Sequence, residues 1–544
     1  MQELGTDLLF VCSSLAPDAE AGIDRLAADF AELGERAAAR GMRVGFEALA
    51  WGLHTWDYRD VWEIVRRANR ANVGIVLDTF HIQARDLDLS VIRTIPADRI
   101  FLVQVADAPK LQMDYLSWSR HWRCMPGQGD FDLVGFMTAL EATGYRGHLS
   151  LEIFNDRFRA GSPRAVALDG HRSLLSLLDE TSRHLGRPVS DLPALPAPAI
   201  VAGVEFIEFT VRQTNRAAFE AFLAAMGFSE NGRHRTKAVS LWVQGAIRIV
   251  VNSHNEGFAQ AYQTTHGTSV CAMALRVPDA QAAVARAAAL FDVPHAGEVG
   301  PGELTIPAVR GLGGSLVCFV DAGSALGRWA EVDFTPGEIG DPGAGLVSVD
   351  HISQTMQYEE MLSWLLFYTS LFEARKTPSQ AVLDPGGVVQ SQVIESGLDQ
   401  GHQGLRLVLN GSQSHRTLSA RFVTDFFGSG VQHIALSTAD IRRTVARMIG
   451  NGVEMLPIPD NYYDDLEART ELSSADIDEL KVLNILYDRD AGGAFYQAYT
   501  TTLDGGFFFE IVQRDGYTGY GAPNASIRLA AQARLARPAT MPAK

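Results

Sequence analysis

VGFEALAWG, residues 44–52, carries a short apolar run into a single glutamate, Glu47, and on to Trp51. A carboxylate at the end of a buried strand is costly unless something receives it, so the question is whether other strands end the same way. VGIVLD (73–78) ends in Asp78, RIFLVQ (99–104) in Gln104 and HLSLE (148–152) in Glu152. Amphipathic stretches lie between them. Leu26, Phe30 and Leu33 share a helical face ahead of RVGFE (43–47), and Val61, Ile64, Val65 and Ala68 repeat at helical spacing in YRDVWEIVRRANRA. LLFVCSS (8–14) supplies a leading strand, and FDLVGFMTALEATG and RAVALDGHRSLLSLLDE read as further helices. Strand and helix in alternation specify a parallel sheet covered by helices, either a (β/α)₈ barrel or a doubly wound sheet.

In a barrel, the carboxyl ends of the strands converge on one mouth. Three carboxylates brought together there repel one another and are driven toward protonation unless a cation neutralises them. A lone acid at a strand end is usually a helix cap; four oxygen-bearing side chains on successive strands favour a divalent metal. All-oxygen ligation by Glu47, Asp78, Gln104 and Glu152 selects a hard ion, Mg²⁺, Mn²⁺ or Co²⁺, over zinc.

The chain has 544 residues, too many for one core, with 47 basic and 64 acidic side chains and a net charge of −17. That balance argues against nucleic acid or an anionic membrane as partner and leaves a small-molecule substrate, with homo-oligomerisation open. No apolar run approaches the ~18 residues of a membrane span, and MQELGTDLLF lacks a basic leader, so a cytoplasmic protein is expected. Cys12, Cys124, Cys271 and Cys318 have neither zinc-site nor disulfide spacing. The expected division is 1–185 for the α/β unit, a Pro-rich linker GRPVSDLPALPAPAI at 186–200, a β-rich region in halves 201–335 and 345–534, and a disordered tail over 535–544.

The β-rich region repeats itself. VEFIEFTVRQTNRAAFEAFLAAMGF (204–228) echoes VSVDHISQTMQYEEMLSWLLFYTSLF (347–372), and TSVCAMALRVPDAQAAVARAAAL (268–290) echoes SGVQHIALSTADIRRTVARMIGNG (429–452). VDHIS places His351, VQHIA His433 and FFFEIVQR Glu510 in strand patterns with apolar alternates, so the three plausibly share one face. Two histidines and a carboxylate form the facial triad of non-haem iron(II) oxygenases.

The strand-end set resembles the xylose-isomerase-like (sugar phosphate isomerase/epimerase) barrels. DTFH (78–81) matches their D-x-x-H, QVAD (104–107) their H-x-x-D with Gln104 in place of histidine, and RCMPGQGDFD (123–132) their R-x-x-P-G-x-G. Together with EALAWG, these motifs resemble the bacterial 3-dehydroshikimate dehydratases, in particular the two-domain type. The resemblance covers residues 1 to about 185 and implies a hydro-lyase of quinate and aromatic-compound catabolism that forms protocatechuate. On that chemistry, His81 is the expected acid/base group, with His54 as rival. Arg123 is expected to pair with the substrate carboxylate and Ser119 to add a hydroxyl contact. A sugar or inosose isomerase or epimerase on the same barrel is the alternative. Only six strands are counted, including a very short one near Cys124–Pro126, where a barrel has eight. The expected fold is therefore a TIM-type barrel lacking its first two β/α units, with two unpaired edges and, without upstream sequence, poor solubility or weak activity.

Residues 201–534 resemble 4-hydroxyphenylpyruvate dioxygenase, a vicinal-oxygen-chelate fold, which implies iron or another divalent metal at His351, His433 and Glu510. The resemblance breaks at the closing helix, where G-F-G-x-G-N-F-x-x-L-F is expected and GYGAPNASIRL stands, with Ala525 and Leu529 replacing two phenylalanines. Losing those rings enlarges the pocket and removes stacking, so metal binding is expected to outlast turnover of the aromatic keto acid.

Overall fold

The computed structural model describes residues 2–297, 299–337, 343–398 and 403–535, and divides into two compact units, 1–195 and 196–544. Of the tail expected over 535–544, Leu535 is the last residue of a helix and 536–544 lie outside the described residues.

The first unit holds five parallel strands in sequential order: β1 (Leu8–Cys12), β2 (Arg43–Glu47), β3 (Val73–Asp78), β4 (Ile100–Val105) and β5 (Leu149–Leu151). β3 is buried along its whole length, the continuous apolar pattern of a strand covered on both faces. Its covering helix, Tyr58–Ala68, starts where the Asp57 side chain accepts the Arg59 amide and ends at Asn69 in the left-handed region. That helix turns Val61, Ile64, Val65 and Ala68 onto the sheet, the face its spacing predicts. Helix Pro163–Leu185 closes the unit.

The strand expected near Cys124–Pro126 is an isolated antiparallel bridge between Asp107 and Cys124. Pro126 has no N–H for a ladder and Gly127 is left-handed, so the segment turns instead of extending. The Asp107 carboxylate fixes that turn. Its Oδ1 accepts from Ala108 N (2.8 Å) and Phe131 N (3.0 Å), and its Oδ2 from Gly127 N (3.0 Å) and Gly129 N (2.9 Å). A Cβ on Gly129 would run into the Asp107 carboxylate and the Ala108 backbone, which accounts for the second glycine of the motif.

In the second unit, the described residues form two nine-stranded sheets with the same central wiring. Gly203–Thr210 runs antiparallel to Ser269–Arg276 and parallel to Ile247–Asn252, and Leu316–Val320 lies parallel to Ser269–Arg276. In the second copy, Leu346–Gln357 runs antiparallel to Gly430–Thr438 and parallel to Leu405–Ser412, with Phe508–Asp515 parallel to Gly430–Thr438. Among the described residues, no helix is long and apolar enough to cross a membrane.

Candidate metal centres and the family they define

At the carboxyl end of the first sheet, register sets Asp78 beside Gln104 and Cys12 beside Glu47. The Asp78 side chain does two jobs. Its Oδ1 caps the following helix, Thr79–Ala84, by accepting the Phe80 amide at 2.6 Å, and its Oδ2 receives Arg123 Nη1 at 2.9 Å. The helix-cap role of a strand-end acid is thus filled by one oxygen, while the other faces the centre. The same Arg123 nitrogen reaches Glu152 Oε2 at 2.9 Å. Ligand atoms of Glu47, Asp78 and His81 also lie within 4.8 Å of one another.

Two buried acceptors at this end, Glu47 Oε1 and Gln104 Oε1, have no donor. Burial, then the charges of Asp78 and Glu152, push the Glu47 carboxyl well above its usual range. Burial and Asp78 raise Glu152 to about 7. Asp78 moves the other way: burial opposes its charge, but Arg123 and His81 outweigh that and hold it low. Stranded oxygens amid carboxylates that resist ionisation are the condition a hard divalent cation relieves, so the donor set fits one.

His81 is buried, with its Nδ1 accepting the Ala50 amide at 3.1 Å. Its Nε2 stands 3.6 Å from Asp78 Oδ2 and 3.3 Å from Arg123 Nη2. Burial holds this imidazole neutral, with its pKa down at about 4. Ser119 is buried and accepts Arg123 Nε at 3.0 Å. Arg123, only 1% exposed, therefore spends its donors inside the protein instead of offering a free fork to a substrate carboxylate. His54 is exposed and bonded to the Ala19 carbonyl. Sequence reasoning passed over Arg85. Its guanidinium lies between the rings of Trp56 and Tyr115, 4.4 Å from each, and its Nε donates to the Ala50 carbonyl, with no carboxylate in ion-pair range among the described residues. Its only signal in the sequence was a basic residue one turn beyond His81.

In the second unit, Glu510 Oε2 lies 3.2 Å from His351 Nε2 and 3.3 Å from His433 Nε2, so all three expected ligands meet at one point. Gln497 Nε2 donates to the other Glu510 oxygen at 2.9 Å. Asp350, adjacent in VDHIS, binds His351 Nδ1 at 2.9 Å and is itself gripped by Arg514 at 2.8 and 3.0 Å. A carboxylate so placed would orient His351 as a ligand. Burial opposes a charge on His351, yet Glu510 and Asp350 hold it at about 9; burial outweighs Glu510 at His433 and leaves it at about 4. The buried His433 Nδ1 has no partner.

A parallel sheet with acidic and amide side chains at its carboxyl end, followed along the chain by a duplicated β-module with a His/His/Glu cluster, defines a fusion of a barrel-type α/β unit and a dioxygenase-type module. Known families divide the chain the same way. The xylose isomerase-like TIM barrel model matches residues 1–177, the hydroxyphenylpyruvate dioxygenase N-terminal model 196–335, and the glyoxalase/bleomycin resistance protein/dioxygenase superfamily model 348–470. A 3-dehydroshikimate dehydratase of Pseudomonas aeruginosa is 46% identical over 99% of this chain and 85% of its own length. One from Pseudomonas putida is 46% identical over 98% and 85%. A solved xylose isomerase-like TIM barrel/4-hydroxyphenylpyruvate dioxygenase fusion protein superposes with a TM-score of 0.89 at 45% identity, covering 98% of this chain and 85% of that one. The 4-hydroxyphenylpyruvate dioxygenase of Pseudomonas aeruginosa matches 59% of this chain at 32% identity. The chain belongs to the 3-dehydroshikimate dehydratase family, hydro-lyases built on a xylose-isomerase-like barrel and a dioxygenase-like module.

Proposed function

We propose that the first unit removes water from 3-dehydroshikimate to give protocatechuate, with a divalent ion, Mg²⁺, Mn²⁺ or Co²⁺, held by Glu47, Asp78, Gln104 and Glu152. The observation that carries the metal reading is the pair of donorless buried oxygens, Glu47 Oε1 and Gln104 Oε1. Bound there, such an ion would supply Lewis acidity to the ketone and so acidify the neighbouring C4 proton. The residues of the chain do the rest. His81, neutral and fixed through Nδ1 by the Ala50 amide, presents Nε2 as the atom that carries a proton in the reaction. Arg123 keeps Asp78 and Glu152 together, and Ser119 keeps Arg123 in place. Arg85 takes the substrate carboxylate through its free edge, its two faces being occupied by aromatic rings. The C4 proton and the C5 hydroxide leave as one water, and enolisation of the ketone completes the aromatic ring.

The test is incubation of the full chain with 3-dehydroshikimate and each of the three metals, followed by ultraviolet absorbance of protocatechuate. No product from folded, metal-loaded protein overturns the assignment, and an isomer with no loss of water moves it to the isomerase class. In the second unit, the proposed ion is iron(II) at His351, His433 and Glu510. Iron titration of wild type against His433→Ala, with loss of one bound equivalent expected, tests it.

A further inference from the structure

The cavity lined by His351, His433 and Glu510 is also lined by Asn410, Gln432, Tyr499, Ala525, Arg528 and Leu529. The last three come from the closing helix, Ala522–Leu535. Where the dioxygenase motif reads F-x-x-L-F, this helix reads Ala525-Ser-Ile-Arg528-Leu529, so two aromatic walls are gone and a cation stands in place of an aliphatic side chain. The Arg528 guanidinium lies 5.3 Å from the Phe508 ring and 5.7 Å from that of Tyr499. Phe508 also stacks on His433 at 4.8 Å, so its ring lies between the metal-type centre and the cation. Arg528 Nη1 donates to Gln532 Oε1 at 2.7 Å, and among the described residues no carboxylate is in ion-pair range of it. The acid that lines the cavity, Glu510, is engaged by His351, His433 and Gln497 and is out of ion-pair range of Arg528, and a half-buried guanidinium left without a carboxylate favours an anion delivered from solution.

We propose that this cavity binds a small, single-ring carboxylate, its carboxylate forked on Arg528 and its ring-borne oxygens directed at His351, His433 and Glu510. A keto acid that chelates through its own carboxylate would place its charge at the triad; Arg528 reverses that polarity and puts the charge-reading group at the opposite end. Ala525 and Leu529 leave width for a hydroxylated ring, and the amides of Asn410 and Gln432 offer it hydrogen bonds. The proposal rests on reading the triad as the polar end of the site.

Calorimetric titration of the full chain with 3,4-dihydroxybenzoate in iron-free buffer tests it. Two sites per chain are expected for wild type, one in each unit. Arg528→Leu should show one site. Arg528→Lys, which keeps the charge and loses the fork, should bind at the second site about tenfold more weakly. Catechol, the same ring without the carboxylate, should fill no site that depends on Arg528. Two unchanged sites in Arg528→Leu, or catechol bound as tightly as the acid at the second site, overturns the proposal. If Arg528→Leu fails to fold, as read by thermal unfolding, the lysine variant and catechol decide. An Arg528-dependent site in a protein that takes up no iron overturns the metal assignment alone, and an iron-loading protein with a single carboxylate site overturns this proposal alone.

Discussion

Asp107→Ala isolates the feature that shapes the barrel mouth. The Asp107 carboxylate accepts four backbone N–H groups, those of Ala108, Gly127, Gly129 and Phe131. Gly127 is exposed, so its amide recovers water when the acceptor is removed; the other three belong to buried residues and are stranded. At about 1–2 kcal/mol for each stranded donor, the loss comes to about 3–6 kcal/mol. The main-chain pair between Asp107 and Cys124, at 2.9 and 2.7 Å, does not involve the side chain, so the loop opens while the sheet stays formed. Hydrogen exchange of the peptide spanning 123–132 is the direct assay, and a loss of that size lowers its protection by about two to four orders of magnitude. Because this loop begins at Arg123, dehydratase turnover should fall with it. Asp107→Asn retains the acceptor at one oxygen and should lose about half as much. Unchanged protection in Asp107→Ala would refute the argument that the carboxylate, and not the surrounding packing, fixes the R-x-x-P-G-x-G turn.

Glu47→Gln removes a carboxyl that burial and its neighbours hold well above its usual range, so the metal-free first unit should become more stable at neutral pH while the melting shift on adding Mn²⁺ disappears; differential scanning calorimetry reads both. Glu303, in the second unit, is held at about 2 against burial by Lys237 (2.6 Å), Thr236 (2.5 Å) and the Gly300 amide (2.8 Å). Its folded value lies below the ordinary 4.5, so its contribution, about 2 kcal/mol, is complete above pH 4.5 and is lost as pH falls toward 2. Urea midpoints of Glu303→Gln and wild type should therefore converge as pH is lowered through that window, and parallel curves would count against the ion pair. Arg85→Ala should raise KM for 3-dehydroshikimate by tenfold or more with a smaller change in kcat, and equal losses in both would remove Arg85 from carboxylate binding.

The strand ends were legible because a buried parallel strand has a simple signature, a solid apolar run that stops at a polar side chain, as VGIVLD does at Asp78. The second triad was legible for a different reason: the duplicated strands repeat strongly enough to align, and His351, His433 and Glu510 break their apolar pattern. Arg123 was read as a substrate fork because its motif gives the arginine but not its direction, which depends on Ser119 one helical turn back and on Asp78 and Glu152 from two other segments. Arg85 and Arg528 left almost no trace, since a basic residue on a helix is ordinarily a solvated one; only the rings around them mark them as different. The short strand at Cys124–Pro126 failed because three residues cannot distinguish a ladder from a bridge, and the deciding acceptor, Asp107, sits in another loop.

The two copies of the β-module separate what the fold needs from what a ligand needs. Register aligns them without ambiguity: Ile207 pairs with Ile249 and Met273 as Ile352 pairs with Leu407 and Ile434, and Ala274 pairs with Cys318 as Ala435 pairs with Glu510. On that alignment, His351, His433 and Glu510 correspond to Phe206, Ala272 and Cys318, a set with one weak ligand and no charge. Asp350 corresponds to Glu205 and Arg406 to Arg248, and the acid–arginine pair is present in both copies, at 3.5 and 3.3 Å. A pair retained where there is nothing to ligate belongs to the architecture of the sheet. The bond from Asp350 to His351 exists in only one copy, where it orients an imidazole. The equivalent positions of the first copy hold Phe206, Ala272 and Cys318, all buried, so the sheet builds without polar groups there. In the second copy the same positions are His351, His433 and Glu510, buried where histidine and glutamate cost stability, beside a closing helix that brings Arg528 to the same cavity. Polar side chains that the architecture does not require, gathered on one cavity at a cost in burial, are the pattern of a binding site and not of a packing core.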